Sequence, residues 1–285
     1  MLIPPINSFN TFSDNFGVTF TEAAMGTGLT AGGTNHTKNV TITSILAAVG
    51  FDVYGIAIGF HGAFVAGSSR RYLTDIYTDP AGGTAWGAAP VIANLAVSSI
   101  GMTMGGKWYY FPLYVKTGAS FGATCQAETA SATCRILIRV FGKPSHPETL
   151  NIGRKVVTLN AATASTFGTQ TMSAGASNTK GGWSTSLGTT VNDIFWWQFG
   201  MMINDTSQTA QTYFCDVAIG DASNKIVVIN DLTHNNIGTG ELAGEIGECS
   251  PPLHLAKAGA AVYIRCASSG TADASLSGLV YGVVR

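Results

Sequence analysis

The chain repeats itself at a fixed offset, and this constrains its fold more than any single motif does. "KTGASFGATC" (116–125) returns as "KAGAAVYIRC" (257–266), so that Lys116 pairs with Lys257, Gly118 with Gly259 and Cys125 with Cys266, each 141 residues on. "RYLTDIYTD" (71–79) returns at the same offset as "TYFCDVAIG" (212–220), aligning Tyr72 with Tyr213 and Asp75 with Asp216. "DVYGIAIG" (52–59) returns, again 141 on, as "DIFWWQFG" (193–200). With small gaps, "AGGTNHTK" matches "AGASNTK", "PVIANL" matches "IVVIND", and "IRVFG" matches "GLVYG". Matches in one order, several at one offset, predict a duplicated domain. The boundary falls in "GKPSHPETLNIGR" (142–154), whose prolines and polar residues read as a linker. The expected organisation is an N-terminal arm (1–15) that docks on a neighbour, a first copy (16–142), a linker (143–154) and a second copy (155–285).

Within each copy, short β-branched or aromatic runs such as "NVTITSI", "RILIRVFG" and "NKIVVIN" are separated by Gly, Ala, Ser, Thr and Asn. Their alternation has period two, and no stretch sustains a helical period. The predicted fold class is all-β: two tandem duplicated antiparallel β-sandwich domains, jelly-roll-like in character. Alternation also assigns faces. Tyr54, Ile56, Ile58 and Phe60 share the core side of one strand, with Phe195, Trp197, Phe199 and Met201 in their place in the second copy. The outer faces differ: Gly55 corresponds to Trp196, beside Gln198, and Arg139 corresponds to Leu279. The extra apolar outer surface of the second copy predicts a contact, either with another subunit or between the two domains. Trp196, Gln198, Leu279, Trp108 and Tyr109 are therefore the candidate interaction surface.

Only 11% of the residues are charged, against a usual ~25%, and the net charge is -1. With no basic stripe, nucleic acid is not an expected partner. Mean hydropathy is high, +0.24, yet no apolar run reaches the ~20 residues of a membrane span, so no membrane insertion is expected. A low-charge, apolar chain of this kind keeps surface against neighbouring subunits, which predicts a homo-oligomer. The start "MLIPPINSFNTF" lacks the features of a secretory signal. The five cysteines, Cys125, Cys134, Cys215, Cys249 and Cys266, contain no C-x-x-C and read as buried thiols. A bridge between Cys125 and Cys134 across a hairpin stays open.

Gly118-Ala-Ser-Phe-Gly122 spells the G-x-S-x-G of a hydrolase nucleophile elbow. An elbow needs a strand, a strained turn and a helix, whereas the repeat marks the residues after Ser120 as a strand. The second copy has Ala261 where Ser120 stands, so the fold does not need the hydroxyl. No catalytic residue is assigned, and a hydrolase reading would require a histidine beside Ser120. "GTGLTAG" (26–32) and "GTGELAG" (238–244) lack dinucleotide-loop spacing, so no cofactor is expected. Asp52 and Asp193, like Asp75 and Asp216, recur at fixed places, and strand-end aspartates bonded to a turn backbone explain them better than a metal does. His36, His61, His146, His234 and His254 do not recur between the copies, so no metal site is predicted. Trp108-Tyr109-Tyr110 and Trp196 leave a sugar platform as the rival reading.

The repeat unit has a lead-in "NTKGGW", then "YFCDVAIGDASNKIVVINDL", "PPLHLAKAGAAVYIRCASS" and a closing "LVYG". The first copy runs "HTK", "YLTDIYTDPAGGTAWGAAPVIANL", "FPLYVKTGASFGATCQAE" and "RVFG" in the same order. Together these resemble a module of tailed-bacteriophage genomes whose genes are taken to encode virion surface proteins. The resemblance implies a non-enzymatic structural virion protein, a capsid-decoration or head/tail-fibre component assembled in the host cytoplasm. Its partners would be capsid or tail subunits. The alternatives are a module binding carbohydrate or a host surface receptor, and a double jelly-roll capsid shell protein.

Overall fold

Runs rich in Val, Ile, Tyr and Phe become strands throughout, as such side chains suit a pleated, half-buried surface; there is no helix among the described residues. The computed structural model describes residues 11–17, 25–61, 71–98, 107–143, 152–160, 170–203, 211–236, 243–248, 256–270 and 276–285. The first half supplies β1 (Phe12–Asp14), β2 (Thr27–Thr30), β3 (Thr43–Leu46), β4 (Gly55–His61) and β5 (Arg71–Asp79). It continues with β6 (Ile92–Ser98), β7 (Lys107–Phe111), β8 (Ser120–Ala127) and β9 (Thr133–Phe141). One sheet has the order β1-β9-β4-β7, with β2 also on β9, and the other has the order β3-β8-β5-β6. Every pairing between these strands is antiparallel. Counting from β2, the first strand pairs with the eighth, the second with the seventh, the third with the sixth and the fourth with the fifth. This nested pairing lays two antiparallel sheets against each other as a β-sandwich.

The second half supplies β10 (Lys155–Leu159), β11 (Thr171–Met172), β12 (Gly188–Thr189), β13 (Ile194–Ile203) and β14 (Gln211–Gly220). It ends with β15 (Lys225–Asn236), β16 (Ala243–Glu248), β17 (Ala261–Ser268) and β18 (Leu276–Val284). Its sheets run β10-β18-β13-β16, with β11 on β18, and β12-β17-β14-β15. This is the order of the first half, strand for strand. Where the N-terminal arm is described it pairs within the chain: Phe12–Asp14 is β1, bound to β9 with Phe12 opposite Phe141. Residues 144–151 of the expected linker lie outside the described residues. Directly after them, the Gly153 amide donates to the Pro112 carbonyl and the Tyr114 amide donates to the Gly153 carbonyl, which ties the second half to the first.

Alternation holds within β4, whose Ile56, Ile58 and Phe60 are fully buried. It fails just before that strand, in both halves. The register slips by one residue between Ile194 and Trp196. Ile194, Trp197 and Phe199 therefore enter the second core, while Phe195 enters the first. In the first half Val53 takes the core place and Tyr54 turns outward against Tyr114, ring centres 5.6 Å apart. So Tyr54 and Phe195 are not core residues of their own sandwiches, because a bulge moves every later side chain to the other face. Met201 lies among residues whose side chains are not described.

Register also corrects one alignment. Ala57 faces Arg139 across β4–β9, and Gln198 faces Tyr281 across β13–β18. Tyr281, rather than Leu279, stands in the place of Arg139; Leu279 is two residues away on the same face.

The first core is not built by the first half alone. Val156, Phe195, Leu279, Tyr281 and Val283 of the second half belong to the first core, beside Leu95, Val97, Tyr109 and Phe111. The outer face of sheet β10-β18-β13-β16 closes the open side of the first sandwich, between its edge strands β6 and β7.

Candidate functional site

The predicted interaction residues gather at this seam. An edge strand such as β6 leaves outward-pointing backbone groups unpaired, and something must satisfy them. Two tyrosines do so. The Tyr281 hydroxyl donates to the Asn94 carbonyl at 2.7 Å and accepts from the Ala96 amide at 2.9 Å. The Tyr109 hydroxyl donates to the Ala96 carbonyl at 2.6 Å. The two rings meet edge to face, 5.4 Å apart. Burial pushes both phenols well above the usual tyrosine range, so they stay protonated donors. Thr158 Oγ1 donates to the Ala93 carbonyl at 2.6 Å, and the Val156 amide donates to the Val91 carbonyl at 3.2 Å.

Beside them, Gln198 Nε2 donates to the Tyr110 carbonyl at 2.6 Å, and Trp196 Nε1 donates to the same oxygen at 3.2 Å. Leu279 and Tyr109 are fully buried, Gln198 is buried, and Trp196 is half-buried against Tyr110. Trp108 is half-buried too, packed on Phe16 with ring centres 5.6 Å apart. The glycines of β4 make room for this layer: a Cβ on Gly59 would lie 2.7 Å from the Trp108 ring, and one on Gly55 would lie 2.5 Å from the Tyr110 hydroxyl. Of the two contacts the sequence left open, the described residues form the one between the halves. Of the rival sugar-platform residues, Tyr109 and Tyr110 are buried here, while Trp108 and Trp196 stay half-buried.

The recurring aspartates hold backbone. Asp52 accepts from the Thr117 amide at 2.8 Å, and Asp193 accepts from the Ala258 amide and Lys257 Nζ, each at 2.9 Å. Each thus ties down a turn whose glycine has positive φ, Gly118 at 88° and Gly259 at 90°. Asp75 and Asp216 are not at strand ends. Each sits mid-strand opposite a bulge, where Asn94 and Asp231 adopt φ of 57° and 53°. Asp75 accepts from the Asn94 amide at 2.8 Å and from Lys38 at 2.5 Å. Asp216 accepts from the Asp231 amide at 2.9 Å, Lys180 at 2.6 Å and Arg265 at 2.8 Å. Burial alone would raise the Asp216 carboxyl; the Asp231 amide, Lys180 and Arg265 outweigh it and hold it below the usual carboxylate range. Arg265 also lies over the Trp183 ring, 4.3 Å from its centre. Lys38 and Lys180 were missed in the sequence, although "HTK" and "NTK" align them.

Ser120 begins strand β8, which runs on to Ala127 without a helix, and its hydroxyl donates to the Gly83 carbonyl at 2.7 Å. The elbow geometry is absent there. Cys125, Cys134, Cys215 and Cys266 are buried thiols. Cys125 and Cys134 lie on strands of different sheets and meet through the core, and this contact together with burial pushes the Cys134 thiol up. Cys215 and Cys266 are direct cross-strand neighbours. Cys249 lies outside the described residues. No cluster of His, Cys, Asp and Glu that could hold a metal occurs among the described residues. Compared with known proteins, the chain matches no family model and no curated protein.

Proposed function

We propose that the chain is a duplicated jelly roll with a structural role: a bacteriophage virion component of the capsid-decoration or head/tail-fibre kind, working by packing rather than by catalysis. The observation that carries this reading is the shared core. A sheet of one half completes the interior of the other, which suits a packing role. The residues whose types could do chemistry support it as well: Ser120, Asp52, Asp75, Asp193 and Asp216 are engaged with backbone and neighbouring cations. The resemblance of the repeat unit to phage virion modules points the same way, and jelly rolls serve in both capsids and lectins.

The identical strand order of the halves favours one second reading, a double jelly-roll shell subunit. Gold-labelled antibody on intact particles, with the copy number measured by quantitative mass spectrometry, tests both. Label on the particle at a high copy number fits the shell, and a low one fits a fibre or a decoration. Particles free of the protein would end the virion reading. Binding of the pure protein to a glycan array would favour the receptor module instead.

A further inference from the structure

The seam within the molecule has a structural counterpart at each end of it. Cross-strand rows define the correspondence. Phe12 and Gly55 flank Phe141 as Val156 and Trp196 flank Val283. Asp14 and Ala57 flank Arg139 as Thr158 and Gln198 flank Tyr281. On the receiving side, Leu95 faces Thr74 as Leu232 faces Cys215, and Ile92 faces Ile76 as Ile229 faces Val217. Val91 and Asn94 of the first edge strand thus correspond to Val228 and Asp231 of β15.

At the seam within the chain these positions are covered: Val156 is 3% exposed, and Ile92 and Leu95 are fully buried. Of their counterparts, Ile229 is buried as well, but Phe12 is 56% exposed and Leu232 is only partly buried; along the same edge, Val228 is partly buried and Ile226 is 58% exposed. Arg139, under the rings of Phe12 and Phe16 and paired with Asp14 at 2.8 Å, keeps 24% of its side chain exposed. The Asp231 side chain is 54% exposed beside Lys180. Where Tyr281 donates to the Asn94 carbonyl within the chain, the corresponding positions carry opposite charges, Arg139 and Asp231.

We propose that these two surfaces join molecule to molecule: the Phe12–Arg139 face of one chain docks on the β15 edge of a second copy, with Phe12 against Val228 and Arg139 facing Asp231. The contact is head-to-tail, so it propagates into a ring or a filament. It rests on the duplicated-domain reading above but not on any phage particle, and the purified protein alone tests it. Sedimentation velocity of the wild-type chain up to about 100 µM, where a micromolar contact is saturated, should show growth beyond the dimer. Phe12→Asp and Ile226→Asp alter exposed side chains and should each leave a folded monomer. Mixed in equal amounts, they should form a one-to-one dimer that grows no further, because each keeps one intact surface. A wild-type chain that stays monomeric overturns the proposal. So does association of either variant alone, or a mixture that remains monomeric.

Discussion

Two tyrosines at the seam make opposite predictions for the same substitution. Tyr281→Phe leaves the Ala96 amide without its partner in a dry interface, a loss of about 1–3 kcal/mol in urea unfolding. The Tyr110 hydroxyl is buried with no hydrogen-bond partner, so Tyr110→Phe should be neutral or stabilising in the same assay. Asp216 adds a dependence on pH. Its folded pKa is depressed, so its contribution is complete above the unfolded value near ~4 and fades as pH falls through the folded value. Asp216→Asn should cost about 3 kcal/mol at neutral pH, the usual size for breaking a buried pair. It should also flatten the acid limb of the stability curve. An equally steep acid limb in the variant would mean that other carboxylates carry it.

At the scale of elements, the bulges decide which residue goes where. Asn94 holds a left-handed conformation that costs an ordinary residue about 1–2 kcal/mol, and its side chain accepts from Lys38 at 2.7 Å. Asn94→Ala should lose both the conformational ease and the bond, whereas Asn94→Gly loses only the bond. Thermal melts should therefore rank glycine above alanine, reversing the usual order within a strand. The strands themselves were legible, since their period-two runs and the Lys116/Lys257, Gly118/Gly259 and Cys125/Cys266 pairs need only local sequence. The facing of Tyr54 and Phe195 was not. A bulge shifts the register by one residue and leaves no mark in composition. Nor could sequence show that Leu279 and Tyr109 are covered by the other half, because that cover comes from strands far away along the chain. Lys38 and Lys180 were aligned but unread, since nothing local says which acid a lysine will reach.

For the whole molecule, the shared core predicts that the halves unfold together. Calorimetry should give one transition whose van 't Hoff and calorimetric enthalpies agree. Two resolved transitions would mean that the seam is weaker than its burial indicates. The Tyr281 contact also imposes an order on synthesis. A chain folds as it emerges, N-terminal part first, but the strand that completes the first sandwich, β18, is translated after all the others described. Until then β6 and β7 wait with Tyr109 and Phe111 open to solvent, a nascent surface for a chaperone or for a neighbouring chain on the same message.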